Sequence, residues 1–123
     1  RDWELLTGWD VRNVPWSYHN GGSWPMLLWA LTAACLRGGR PELAAEAVER
    51  AGPRLARDGW PEHYDGPLGR LVGRGARLGQ LWTAASLLVA RALLRDPGLL
   101  DWVGFAGPAP AAACEPGEPP PGP

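Results

Sequence analysis

Met26–Arg50 reads M-L-L-W-A-L-T-A-A-C-L-R-G-G-R-P-E-L-A-A-E-A-V-E-R, and its two halves carry different patterns. From Met26 to Leu36 only Thr32 is polar, so a helix here is apolar on every side and needs protein all round it. Gly38-Gly39 closes it, and Pro41 opens a second helix almost at once. That helix keeps Ala44, Ala47, Val48, Ala51 and Leu55 on one stripe of 3.6-residue spacing and places Glu42, Glu46, Glu49, Arg50 and Arg54 elsewhere. An apolar inner helix joined by a short link to an amphipathic outer one is an antiparallel helical hairpin. Gly52-Pro53 is expected to kink or end the outer helix.

Outward from this hairpin, a third helix is expected from about Leu78 to Leu94. Leu78, Leu81, Trp82, Ala85, Leu88, Val89 and Ala92 form its face, and Ala84, Leu87 and Leu93 spread apolar character around it. Asp96-Pro97-Gly98 stops it. This too reads as an inner helix. Residues 58–77 read as loop, and residues 1–24, with Trp3, Trp9, Trp16 and Trp24 among Gly and Pro, show no sustained period. Ser17–Pro25, S-Y-H-N-G-G-S-W-P, is a polar loop pinned to the start of the inner helix. Ser23 is placed to cap that helix, with Pro25 in its first turn, and the Gly-Gly pair lets the backbone bring polar side chains close to a ligand. Beyond Gly107 a proline-rich run has almost nothing to bury and is expected to be disordered or polyproline-like. The class is all-α, a toroid of helical hairpins. Three helices cannot close one, so apolar faces are left bare for the rest of a domain or another copy.

Composition narrows the function. The chain has 123 residues, enough for one small domain, and its start at Arg1 suggests a piece of something longer. Its 12 basic residues are scattered among 13 acidic ones, for a net charge of -1, which gives no field to gather nucleic acid or an anionic membrane. Neither partner is expected. No apolar run reaches the roughly 18 residues of a membrane span. Cys35 and Cys114 have neither the number nor the spacing of a disulfide framework or a zinc site, so no metal is expected. The glycines at 69, 73, 75 and 79 fit neither G-x-G-x-x-G nor a P-loop, and no cofactor is expected. Tryptophan is abundant, at 8 residues. An indole offers a broad apolar face and one N–H, which suits a sugar ring, although core packing uses indoles too.

The chemistry concentrates in two places. Trp60–Gly66, W-P-E-H-Y-D-G, sets Glu62 and Asp65 three residues apart among aromatics, with Arg70, Arg74 and Arg77 following. Glycoside hydrolysis needs two carboxyl groups flanking the scissile bond. Glu62 is the candidate general base, because Pro61 fixes the backbone before it and the arginines would hold it ionised. A solvated loop acid is the plainer reading. Asp65, before Gly66, reads as a turn residue. In Ser17–Pro25, His19 either hydrogen-bonds a sugar hydroxyl or fixes its own loop, with Tyr18 and Asn20 beside it. Trp24 and Trp82 either stack on a sugar or pack at the start of an apolar helix.

Taken in order, S-Y-H-N-G-G-S-W-P, a Leu- and Ala-rich helix, W-P-E-H-Y-D-G and Gln80-Leu81-Trp82 resemble the C-terminal quarter of the neutral/alkaline invertases of plants, algae and cyanobacteria. The resemblance runs over residues 2–97 and includes T-G-W-D (Thr7–Asp10) and N-V-P-W (Asn13–Trp16). It implies an (α/α)6 barrel, incomplete in this chain, that hydrolyses sucrose to glucose and fructose with inversion and without a metal. In that family the Glu of W-P-E-x-Y-D-G is the general base, which falls on Glu62. Tyr18, His19, Asn20, Trp24, Asp65, Gln80 and Trp82 become the candidates for substrate binding.

The family's general acid, an Asp, belongs to a region upstream of anything matched here. Half a catalytic pair is present, and the isolated chain is expected to be inactive. Residues 1–104 then form the C-terminal segment of the catalytic domain and residues 105–123 the tail. Departures from the family pattern are His63 where a second Tyr is usual and Val14 where Thr is common. Leu78–Trp82 also replaces a Lys-Phe-Gln-Thr-Trp-like run, with Gly79 weakening the helix start by about 1 kcal/mol. Two other readings stay open: a debranching-type α-glucosidase of the same barrel, and a truncated copy that binds sugar or docks on a full-length subunit. A homo-oligomeric full-length form, in the cytoplasm or in a plastid or mitochondrion, completes the expectation.

Overall fold

The computed structural model describes residues 10–104. Thr7 to Trp9 of the T-G-W-D run, and the proline-rich tail with Cys114, lie outside the described residues. A 3-10 turn at Pro25–Leu27 leads into α1 (Leu28–Arg37), followed by α2 (Pro41–Arg57). A two-stranded antiparallel ribbon, β1 (Tyr64–Asp65) and β2 (Leu71–Val72), pairs Tyr64 with Val72 and Asp65 with Leu71. Helix α3 (Leu81–Arg95) and a 3-10 stretch, Pro97–Val103, complete the described chain. Apart from the ribbon the architecture is all-α, as the helical patterning implies.

Helix α1 packs on both α2 and α3, and α2 also meets α3. The outer stripe lies where its period put it: Ala44, Val48 and Leu55 are buried, Ala47 and Ala51 half-buried. Val48 and Leu55 join Tyr64, Leu87 and Ala90 in one cluster, and Ala33, Leu93 and Leu100 form a second. Helix α2 does not end at Pro53 but runs on to Arg57. Proline forfeits a hydrogen bond there, yet Val48 and Leu55 on either side are anchored against α3, and that packing holds the turns together.

Helix α3 corrects the expectation in two ways. It begins at Leu81, because Gly79 takes a φ of +66° and Gln80 is extended, so Gly79 precedes the helix and does not weaken its first turn. Its packed face is Thr83, Ser86, Leu87, Ala90 and Leu93, while Leu81, Trp82, Ala85, Leu88 and Val89 are exposed. A helix apolar all round has no preferred side, and here two hydroxyls choose it. Thr83 Oγ1 donates to the Pro61 carbonyl at 3.0 Å, and Ser86 Oγ accepts the Trp29 N–H at 3.0 Å. The second bond ties the first turn of α1 directly to α3. The large apolar face turned outward, with Leu81 84% and Leu88 66% exposed, is the bare face expected of a partial toroid. No described helix is long and apolar enough to cross a membrane.

Tyr64 ties the ribbon to α2. Its hydroxyl donates to Asp58 Oδ2 at 3.1 Å, and the Arg54 guanidinium lies 4.0 Å from its ring centroid. Burial, with the Asp58 hydrogen bond second, pushes the phenol up to about 12. Tyr64→Phe is expected to lower stability by about 1 kcal/mol, read as a lower urea midpoint at constant slope, since Asp58 keeps Arg57 and Arg54 as partners.

Candidate functional site

The loop ahead of α1 is built on itself. Asp10 takes Arg12 Nη2 at 2.6 Å and Arg12 Nε at 2.9 Å, and accepts the Arg12 backbone N–H as well. Those hydrogen bonds hold the Asp10 carboxyl down at about 2. The guanidinium so fixed lies 3.6 Å over the Tyr18 ring, a cation–π contact. Tyr18 itself has a φ of +44°. The chain then doubles back so tightly that a Cβ on Gly22 would stand 2.5 Å from the Tyr18 carbonyl oxygen, which only glycine permits. Trp24 Nε1 donates to that same carbonyl at 3.1 Å.

Ser23 does not cap the helix. Its backbone exchanges two hydrogen bonds with Tyr64, of 2.9 and 2.8 Å, and the N-cap position falls to Trp24 with no side-chain bond. Gly66 N–H adds a bond to the Trp16 carbonyl at 2.8 Å. A short β-pairing thus joins the two polar motifs of the sequence.

Pro61, Glu62, His63 and Tyr64 are all buried. Glu62 N–H donates to the Arg77 carbonyl at 2.8 Å, and the Arg77 N–H points back to Glu62 Oε2 at 3.4 Å. The expected guanidinium partners are not there: among the described residues no arginine forms an ion pair with Glu62. Backbone N–H groups of the same arginine-rich loop stand in for them, Arg77 at Glu62 and Arg74 at Asp65 Oδ2, the latter at 2.8 Å. Asp65 therefore holds its own ribbon, as a turn residue would.

His63, which sequence reasoning treated only as a departure from a pattern, is the centre of the cluster. Its ring is fully buried, stacked on Trp24 at 5.2 Å and edge-on to Tyr18 at 5.2 Å. Its Nδ1 lies 3.9 Å from Glu62 Oε2 and its Nε2 3.6 Å from Asp65 Oδ1. Burial lowers its pKa below the ordinary 6.5, against the opposing pull of Asp65 and Glu62. A signal was available in the sequence: an ionisable ring stands between two acids. Charging His63 costs more in the folded chain than in the unfolded one. Stability is therefore full at neutral pH and falls as pH drops below about 6.5, measurable as a declining urea midpoint from about pH 7.5 to 5. A midpoint that does not fall over that range contradicts the buried neutral ring.

The structure gathers Tyr18, His19, Trp24, Glu62 and Asp65 around His63. The His19 ring is exposed and lies tilted against Tyr18, 4.0 Å between centroids, while the His19 backbone N–H goes to Asn13 Oδ1 at 3.1 Å. Asn20 uses its amide on the Asn13 carbonyl at 3.4 Å, a bond within the loop. Gln80 opens α3, its N–H donating to the Trp60 carbonyl at 3.0 Å. Trp82 instead lines a groove of about 460 Å³ with Met26, Trp29, Val89 and Trp102. A second hollow, of about 370 Å³, runs from Trp24 and Tyr64 to Leu31 and Ala51; Glu62 lines neither. What the cluster offers chemically is one buried, backbone-tethered carboxylate beside a wall of aromatic faces and one exposed imidazole.

The family model described as alkaline and neutral invertase matches residues 1–97. Cytosolic invertase 1 of Oryza sativa subsp. japonica is 55% identical over 102 residues, which is 83% of this chain and 18% of that protein. Probable alkaline/neutral invertase D of Arabidopsis thaliana is 54% identical over 102 residues, 83% of this chain and 19% of its own length. Alkaline/neutral invertase E, chloroplastic, of Arabidopsis thaliana is 53% identical over 96 residues, 78% of this chain and 16% of its own. The chain spans less than a fifth of the length of each of these relatives.

Proposed function

Since this chain belongs to the alkaline and neutral invertase family, we propose that it is the C-terminal part of an (α/α)6-barrel glycosidase that cleaves sucrose with inversion. Glu62 deprotonates the water that attacks the glucosyl anomeric carbon. The bond from that carbon to the fructosyl oxygen breaks, and a second carboxyl, on a part of the protein outside this chain, protonates the departing oxygen. An inverting pair stands about 6.5–9.5 Å apart with the water between, so one carboxylate alone performs no turnover.

The observation that supports this reading is the environment of Glu62. Its side chain is only 11% exposed and is tethered to the Arg77 backbone. It lies beside His63, whose ring packs on the Trp24 and Tyr18 that the S-Y-H-N-G-G-S-W-P loop contributes. A carboxylate held in place beside aromatic faces suits a base aimed at a water under a sugar ring. The exposed His19 ring and the Trp24 and Tyr18 faces are the substrate contacts proposed here. Asp65 and Asn20 serve the site through the loops they hold. Gln80 and Trp82 are kept as substrate contacts that require the rest of the barrel.

Residues 1–104 are assigned to the catalytic domain and residues 105–123 to a tail outside it. The relatives' names include a cytosolic and a chloroplastic protein, and this protein is proposed to work in the cytoplasm or an organelle, as a homo-oligomer. The test is to follow the full-length protein on sucrose by proton NMR, where β-glucose is the first product of inversion. Release of α-glucose first, or a preference for maltose or isomaltose over sucrose, defeats the proposal. The 123-residue chain alone is expected to show no sucrose turnover; activity lost on Glu62→Gln would show the half-site argument to be wrong.

A further inference from the structure

Building on the reading of Glu62 as the base, we propose that His63 is a positioning residue for that carboxylate and an acid-sensitive switch on it, its imidazole bridging Glu62 Oε2 and Asp65 Oδ1 when it gains a second proton. The ring is 0% exposed, and neither of its nitrogens has a hydrogen-bond partner; the same holds for Asp65 Oδ1. A neutral imidazole has one N–H and one lone pair. Here it faces two acceptors, with Nδ1 3.9 Å from Glu62 Oε2 and Nε2 3.6 Å from Asp65 Oδ1. One proton serves one carboxylate and turns a lone pair on the other. A second proton, taken from solvent, supplies a donor to each.

Both gaps exceed the roughly 3.2 Å limit of a good N–H···O bond, so the bridge closes by a small tilt of the ring or of the carboxylates. Little else can move, because Trp24 stacks on the ring, Tyr18 meets its edge and the Gly73 backbone crosses it. The charged groups that face it are Glu62 and Asp65 from its own segment, with Arg12 and His19 from the N-terminal loop. The two carboxylates favour the imidazolium, while burial, Arg12 and His19 oppose it. The ring is consequently neutral at neutral pH and charges only in acid. An imidazolium bonded to Glu62 Oε2 makes that carboxylate a poorer base and draws it toward the ribbon, so His63 adds an acid inactivation of its own.

The test is the pH dependence of kcat/KM for sucrose in the full-length protein, compared with His63→Gln and His63→Phe. The acid limb of the variants is expected to move down by about half a pH unit or more, which raises kcat/KM over wild type by about threefold at pH values well below the wild-type midpoint. An acid limb superimposable on the wild type overturns the switch. Because a substitution at a fully buried position can prevent folding, a second measurement keeps the native ring: NMR titration of His63 in the wild type and in Glu62→Gln. Removing the carboxylate charge is expected to lower the His63 midpoint, and an unchanged midpoint overturns the bridge. Full sucrose turnover by Glu62→Gln would defeat the base assignment and the switch together. An inactive Glu62→Gln with an unmoved His63 midpoint defeats the switch alone.

Discussion

With Glu62 in the proposed role of base, Glu62→Gln in the full-length protein is expected to lower kcat on sucrose by about 10²- to 10⁴-fold, the contribution of a positioned general base, with KM changed far less. The substitution isolates the chemistry. Glutamine has the shape of glutamate, and its amide oxygen can still accept the Arg77 N–H that reaches Glu62 Oε2 at 3.4 Å. The tether and the aromatic wall survive, and only the capacity to take a proton is lost. Azide, which needs no deprotonation, should restore part of the rate by attacking the anomeric carbon from the water's side and giving the β-glucosyl azide. The measurements are steady-state kinetics and product NMR. A variant within about tenfold of wild type would place the base elsewhere.

Gly73→Ala carries the second large effect. A Cβ at this position would lie 2.2 Å from both Cδ2 and Nε2 of His63 and 2.8 Å from the His63 carbonyl oxygen. A surface side chain would swing away, but this ring is fully buried between Trp24 and Tyr18. The Gly73 N–H is also bonded to the His63 carbonyl at 2.9 Å, so the backbone cannot drift off without breaking that bond. Overpacking of this kind costs about 1–3 kcal/mol. Because the ring in the way sits next to Glu62, kcat should fall together with the melting temperature. Thermal unfolding and sucrose kinetics on the same preparation check both, and unchanged values would mean that the ring has room the packing denies it.

The helical hairpin was legible because its two halves have different periods. Ala44, Val48 and Leu55 recur at helical spacing, and the same residues are buried. The working face of α3 was not legible, because Leu and Ala occur on all its sides. The choice was made by Thr83 and Ser86, whose hydroxyls find the Pro61 carbonyl and the Trp29 N–H on other segments. Proximity in sequence misled in two places. Ser23 has the chemistry of a cap but is drawn into pairing with Tyr64, and the arginines after W-P-E-H-Y-D-G contribute backbone N–H groups where guanidinium groups were expected. His63 was visible as a residue type and invisible as a centre, since its position between Trp24 and Tyr18 depends on a loop 40 residues earlier meeting it.

That meeting has a kinetic side. Closing Ser23 onto Tyr64 by itself would mean ordering the ends of a loop of about 40 residues, about 3 kcal/mol of chain entropy beyond the constant term. The intervening residues are α1 and α2, and once they pack as an antiparallel pair their outer ends already lie close together. Assembly of the cluster around His63 is therefore contingent on the hairpin. The Ser23 and Tyr64 amides should exchange their hydrogens with solvent no more slowly than the core amides of α1 and α2, and any event that loosens those helices should open the cluster in the same step.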